Sequence, residues 1–289
     1  MGDIRVTVVV SDRSRYDSQL YSQFGLSLLV DCHWNNGDRR RILFDTGWDG
    51  ALLLRNLSQL DVPVSSIDAV VLSHAHYDHT GGLRQLIEAE EGRFNLIAHP
   101  EATRRVFSTS SGLRYIGLEI EALEVLPMSR FFTLQEPTQL YPGVWISGTI
   151  GRTTDFESAE ENVYVVEDGV MVEDEELDDM ALIFDLNDYG LVALTGCSHA
   201  GVVNTVIHAE TLRPRSPLMG LMGGFHLIDK TAEVRERTTE ALAARTDLAV
   251  FSGHCTGWEG ERLLSDALGA RWTAFCTGDV VAFPGKSSV

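Results

Sequence analysis

The chain has 289 residues, 44% of them hydrophobic, and a formal net charge of −19 at pH 7, enough apolar material for a large core in one domain spanning 1–289. The charge argues against nucleic acid as a partner, because phosphate backbones are held by clustered Lys and Arg, and no apolar run is long enough to cross a membrane. The opening Met1-Gly2-Asp3-Ile4-Arg5 runs straight into a strand candidate, so the expectation is a cytoplasmic protein without a secretory leader.

In chain order, apolar periodicity predicts strands over 6–10, 26–32, 41–44, 69–72 and 95–98, and helices over 50–57, 82–89 and 101–107. The fourth of these strands runs into Ser73-His74-Ala75-His76-Tyr77-Asp78-His79-Thr80-Gly81-Gly82, with three imidazoles and a carboxylate in six residues. In an extended segment His74 and His76 point to the same side. A turn at Tyr77 lets Asp78 and His79 return from another direction, so one loop can serve two adjacent metals. Imidazole and carboxylate donors suit zinc, iron or manganese.

A strand over 144–147 precedes an acidic excursion around 157–179. No Lys or Arg lies between Arg152 and Arg213, and the excursion reads as a solvated face or mobile loop with a hairpin around Glu167-Asp168-Gly169, not as a metal site. Strands over 181–185, 191–194, 218–222, 249–251 and 273–275 follow, with helices over 202–210, 232–244 and 260–268. Three of these strands end in Gly with His or Cys: Gly196-Cys197-Ser198-His199, Gly223-Gly224-Phe225-His226 and Gly253-His254-Cys255. Strand ends of like chemistry point to one shared sheet edge, where ligands bind α/β proteins. His33 and His208 belong to no motif, and His99 reads as structural or substrate-facing. Cys32, Cys255 and Cys276 lack the spacing of a disulfide framework.

The His-x-His-x-Asp-His run with its Gly-Gly resembles the signature of the metallo-β-lactamase fold superfamily of metal-dependent hydrolases, as does Asp45-Thr46-Gly47 upstream. The resemblance implies an α/β fold, a four-layer αβ/βα sandwich. It also makes Asp45 a carboxylate that accepts the distal N–H of a metal-bound histidine; a helix N-cap is the other reading of Asp45. The three later segments, Phe24 to Val30, and Ser147 to Glu157 resemble a narrower branch, proteins similar to archaeal 7,8-dihydropterin-6-methyl-4-(β-D-ribofuranosyl)-aminobenzene-5′-phosphate synthase. Two departures from the superfamily pattern stand out. Cys197 occupies the place of a metal-bridging aspartate, and no histidine lies between His99 and His199. Against that pattern, His74, His76 and His199 are assigned to one metal and Asp78, His79 and His254 to the other, with Cys197 bridging them or just beneath. Cys197 also reads as a buried structural thiol, and His226 as either a further ligand or an acid/base.

The expected cofactors are thus two divalent ions, Zn2+ first and Mn2+ or Fe2+ as alternatives. The first functional expectation is hydrolysis of an ester, lactone or phosphoester of a small molecule by a metal-activated water, with Asp78, His226 and Asp45 in catalytic roles. The branch implies a different reaction, displacement of diphosphate from a hydroxymethyl-dihydropterin diphosphate. There Arg152 would meet a phosphate or carboxylate, its other reading being an ion pair with Asp155 or Glu157. Trp48, Tyr77 or Phe225 would stack on the substrate ring, or belong to the core. A non-catalytic metal-binding or signalling protein is the remaining alternative. The substrate is expected to be a small molecule, phosphorylated in the synthase reading, and a homo-oligomer is left open.

Overall fold

The computed structural model describes residues 1–89, 93–124, 126–127 and 130–284. The first half contains β1 (Asp3–Val10), β2 (Ser27–His33), β3 (Arg39–Phe44), α1 (Gly50–Gln59), β4 (Ala69–Val71), the single turn α2 (Tyr77–Thr80), α3 (Leu83–Ala89), β5 (Asn95–Ala98), β6 (Val106–Ser108), β7 (Arg114–Tyr115), α4 (Glu121–Glu124) and β8 (Phe131–Thr133). The second half contains β9 (Thr138–Tyr141), β10 (Val144–Ile146), β11 (Val163–Glu167), β12 (Val170–Glu173), β13 (Ala181–Leu186), β14 (Gly190–Thr195), α5 (Val202–Leu212), β15 (Leu218–Gly223), α6 (Ala232–Ala243), β16 (Ala249–Ser252), α7 (Gly257–Leu268), β17 (Trp272–Ala274) and β18 (Val280–Pro284).

The strands form two seven-stranded sheets, ordered β18-β1-β2-β3-β4-β5-β8 and β17-β16-β15-β14-β13-β10-β9, and a four-stranded sheet β12-β11-β6-β7. Alternation within each strand divides the apolar residues between two faces. Ile4, Val6, Leu28, Val30, Ile42 and Phe44 of the first large sheet pack in one core with Val144, Leu182, Phe184, Val192 and Leu194 of the second. The opposite face of the first sheet, with Val9, Leu29, Leu43 and Val70, is covered by Leu53, Leu57, Leu83 and Leu86 of α1 and α3. The outer face of the second, with Ile183, Leu191 and Ala193, is covered by Val206, Leu242 and Leu264 of α5, α6 and α7. The order helix, sheet, sheet, helix is the four-layer αβ/βα sandwich. Each fully buried Leu, Ile or Phe contributes about 1.5–3 kcal/mol, so the core between the sheets fixes how their ends meet.

Within each large sheet the strands that lead to the site are parallel: β3, β4 and β5 in the first, and β14, β15 and β16 in the second. Their C-terminal ends therefore lie on a common edge. The 101–107 segment departs from expectation, since it is a short 3-10 turn at Pro100–Thr103 followed by β6. Proline starts such a turn readily but Arg104 is already extended (φ −73°, ψ 156°), and Val106 pairs with Val165 of β11. The acidic excursion contains the β11–β12 hairpin, with Glu167 opposite Val170. Among the described residues, no helix is long and apolar enough to cross a membrane.

Candidate metal centre

Every residue of the centre follows a strand end. Asp45 ends β3, the His74–His79 loop follows β4, Cys197 and His199 follow β14, His226 follows β15, and His254 follows β16. Asp45, Ser198, His226 and His254 all adopt positive φ, at 63°, 61°, 41° and 51°, a strained state for residues with a Cβ and one that concentrates at functional sites. Gly196 is required by close packing, since a Cβ there would fall 2.0 Å from Ser73 Oγ and 3.0 Å from Asp45 Oδ2.

Two groups of donor atoms result, each with members within 4.8 Å of one another: His74, His76 and His199 in one, and Asp78, His79, Cys197 and His254 in the other. In the first, His74 Nε2 lies 3.2 Å from His199 Nε2. In the second, His79 Nε2 lies 3.2 Å from His254 Nε2 and 3.1 Å from Cys197 Sγ, with Asp78 Oδ2 at 3.3 Å from His254 Nε2 and 3.6 Å from His79 Nε2. Cys197 Sγ also groups with His199 and His226, which puts the thiol between the two clusters.

The opposite ring nitrogens explain these close approaches. His79 Nδ1 is 2.6 Å from Asp45 Oδ2, and His254 Nδ1 is 2.9 Å from Asp12 Oδ2. His199 Nδ1 lies 2.8 Å from Glu160 Oε1 and 2.9 Å from Glu176 Oε1. Ser73 Oγ donates to Asp45 Oδ2 at 2.7 Å and so is left to accept from His74 Nδ1 at 2.8 Å. Each Nδ1 therefore carries the proton, assigned from these partners, and each Nε2 presents a lone pair. Lone pairs facing each other at 3.2 Å repel unless a shared proton or a metal cation sits between them. The donor set, imidazole, carboxylate and thiol, fits divalent zinc-type ions at both positions, with the Nδ1–H groups oriented as outer partners of metal-bound histidines usually are.

The electrostatics agree. Burial first, then neighbouring histidines, hold His74 well below the ordinary histidine range, and burial pushes His76 down to about 4, so both are neutral ligands at pH 7. For His199, burial is outweighed by the charges of Glu176 and Glu160, which raise it; a cation at Nε2 would take the place of that extra proton. Burial pushes the Cys197 thiol well above its usual range, and a bound cation is what would ionise it. Against burial, His79 and His254 keep Asp78 well below the carboxylate range.

Asp45 is not a helix cap: Asp49 caps α1, its Oδ1 accepting from Ala51 N and Leu52 N. Asp45, fully buried, accepts instead from Ser73 N, Ser73 Oγ and faces His79 Nδ1. Arg152 points away from the clusters' open side, donating to the carbonyls of Glu175 (2.7 Å) and His199 (3.2 Å), with Glu176 Oε2 at 3.8 Å as its carboxylate, in place of Asp155 or Glu157. Phe225 is 2% exposed and packs in the core under the second sheet. His99 bonds Thr149 Oγ1 at 2.8 Å, away from both clusters. His226 pairs through Nε2 with Glu160; burial and His199 oppose its charge, but hydrogen bonds to Cys255 and Glu160 push it up to about 9.

Asp12, Ser73, Glu160 and Glu176 were not singled out from sequence. Asp12 is the one with a local signal, an acid just after an apolar strand. A cavity of about 290 Å³ opens over the clusters, lined by Asp12, Phe24, Tyr77, Asp78, Cys197 and His226 among others. Its rim is aromatic. The Phe24 ring lies 5.8 Å from His254, 6.0 Å from Tyr77 and 6.5 Å from Trp48, and Phe24 and Trp48 are about half exposed.

Residues 40–141 match the family described as a beta-lactamase superfamily domain. The whole chain is similar to the 7,8-dihydropterin-6-methyl-4-(beta-D-ribofuranosyl)-aminobenzene-5′-phosphate synthase of Methanocaldococcus jannaschii, 30% identical over 97% of this chain and 97% of that one. A second protein of that organism, Uncharacterized protein MJ0448, is 33% identical over 89% of this chain and 93% of its own. Among solved structures, Tm1679, a metal-dependent hydrolase of the beta-lactamase superfamily, superposes with a TM-score of 0.82 at 24% identity, covering 97% of this chain and 99% of that one. The metallo-beta-lactamase fold protein YhfI from Bacillus subtilis gives 0.57 at 14% identity, over 98% and 100%.

Proposed function

Given that the chain belongs to the metallo-β-lactamase superfamily, in the branch of the M. jannaschii synthase, we propose that it is a two-metal transferase that displaces diphosphate from a dihydropterin and joins the pterin carbon to an aromatic amine or a like nucleophile. The observation that carries this reading is the aromatic rim: Phe24 stands beside His254 and packs against Tyr77 and Trp48, where a flat heteroaromatic ring would stack with its substituent over the two clusters. The relative's name, which describes a dihydropterin joined to a ribofuranosyl aminobenzene phosphate, supports the same substrate class.

Two divalent ions, when bound, neutralise and orient the oxygens of a departing diphosphate. The chain's own residues do the rest. His74, His76 and His199 hold one position, and Asp78, His79, Cys197 and His254 the other. Tyr77 and Phe24 orient the ring. His226, which pairs with Glu160 through Nε2, holds the proton that would pass to the leaving oxygen.

Purified, metal-loaded protein assayed with a hydroxymethyl-dihydropterin diphosphate should release diphosphate when an aminobenzoate is added, and not without it. Turnover of phosphodiesters or lactones with no amine requirement would replace this reading by the hydrolase expected first from the sequence.

A further inference from the structure

The hairpin of the acidic excursion is exposed, but its C-terminal end is neither solvated nor remote. Asp174, Glu176, Asp178 and Asp179 are 8%, 3%, 8% and 2% exposed, which is costly for four carboxylates unless each is hydrogen-bonded or compensated. Asp178 Oδ2 accepts the backbone N–H of Ala75 at 2.8 Å, and Ala75 stands between His74 and His76. Asp179 Oδ2 accepts the N–H of Ala200 at 2.9 Å, the residue after His199. Met180 N donates to Ser73 O at 2.8 Å, and Arg152 ties Glu175 to His199 through their carbonyls. All three histidines of one cluster thus hang from loops gripped by a single short segment, one loop from each half of the molecule. The other cluster shares these loops through Asp78, His79 and Cys197 but has further support of its own, from Asp45 on His79 and Asp12 on His254.

We propose that Asp178 and Asp179 are positioning residues for the His74/His76/His199 position alone, so that this position can empty while the Asp78/His79/Cys197/His254 position stays filled. The inference rests on the two-metal reading. It assigns the excursion a role in loading the centre: Asp178 holds one, and Asp179 the other, of the two loops that must meet for three imidazoles to converge. Displacing either loop pulls the donors of this cluster apart, while Asp45 and Asp12 still hold His79 and His254 of the other.

The test uses the full chain, loaded with Zn2+ for equivalents and with Co2+ for spectroscopy, where the Cys197 thiolate-to-cobalt band reports the second position. Asp178→Ala and Asp179→Ala should each weaken one of the two equivalents by roughly 10–100-fold, the usual effect of losing an outer-shell partner, with the thiolate band intact. Asp178→Asn and Asp179→Asn keep an acceptor oxygen and should keep both equivalents. Loss of both equivalents together, retention of both in the alanine variants, or loss in the asparagine variants would overturn the proposal. If the alanine variants do not fold, stepwise chelation of the unmodified protein decides: one equivalent leaving ahead of the thiolate band supports it, and simultaneous loss overturns it. An unmodified protein that never takes up more than one equivalent would sink the two-metal reading itself before any variant is compared.

Discussion

The two ligand clusters are built from similar donors but held by different parts of the molecule. His79 and His254 are backed by Asp45 and Asp12, the first completely buried at the end of β3 and the second just beyond β1. His74, His76 and His199 are backed by Ser73 and by carboxylates of an excursion that leaves and rejoins the sheets. One position has carboxylates of the strand ends behind two of its histidines; the other is bonded to the acidic segment as well. Affinity at the two positions therefore depends on these supports as well as on the donors, three imidazoles at one and a carboxylate, two imidazoles and a thiol at the other.

The largest expected effect comes from the core side. Asp45→Ala strands Ser73 N–H and His79 Nδ1–H in a buried site, and a destabilisation on the order of 3 kcal/mol is expected from losing charged buried hydrogen bonds. A thermal melt should show it, together with loss of the second metal equivalent. A melting temperature within error of the parent would mean that the carboxylate supports neither.

Asp12→Asn sharpens the comparison from the opposite direction to the Asp178 and Asp179 variants. It weakens the hold on His254 Nδ1, so metal titration should show the thiolate-linked equivalent weakened roughly 10–100-fold and the other unchanged. Equal weakening of both would erase the distinction between the clusters.

The acids of the excursion also set a pH signature in the metal-free protein. Burial first, and then Asp174 and its other acidic neighbours, pushes Asp178 up to about 7, and burial pushes Asp179 up to about 6. A folded-state pKa above the unfolded value means that the folded chain binds the proton more tightly, so stability falls as pH rises between about 4 and 7. Urea midpoints of apoprotein should decline over that window, and Asp178→Asn should flatten the slope; a parallel slope in the variant would rule Asp178 out as its source. The smallest effect is at the rim: Trp48→Ala, at a side chain about half exposed, should raise the KM for a ring substrate a few-fold and leave metal content unchanged.

The strand ends were legible because each couples an apolar run to glycine and a donor within a few residues. That pattern grouped the histidines and Cys197, and the family resemblance supplied Asp45. The outer partners were not legible, because nothing local marks them: Asp178 meets Ala75 across 103 residues of sequence, and an acid about to be buried looks like an acid left in water. The same blindness made the whole 157–179 run read as a solvated face, which holds for the hairpin at Glu167 and Asp168 but not for Asp174, Glu176, Asp178 and Asp179. Phe225 and Trp48 show the converse limit, for both adjoin motif residues yet one is buried in the core and the other half exposed at the rim. The helix expected over 101–107 failed because the pairing of Val106 with Val165 outweighs local propensity.

The account rests on two metal positions served by different residues, and metal analysis of His76→Ala and Asp78→Ala tests it most directly. The unmodified protein should hold two equivalents and each variant about one, with the thiolate-to-cobalt band kept in His76→Ala and diminished in Asp78→Ala. Full retention of both equivalents in both variants would contradict it.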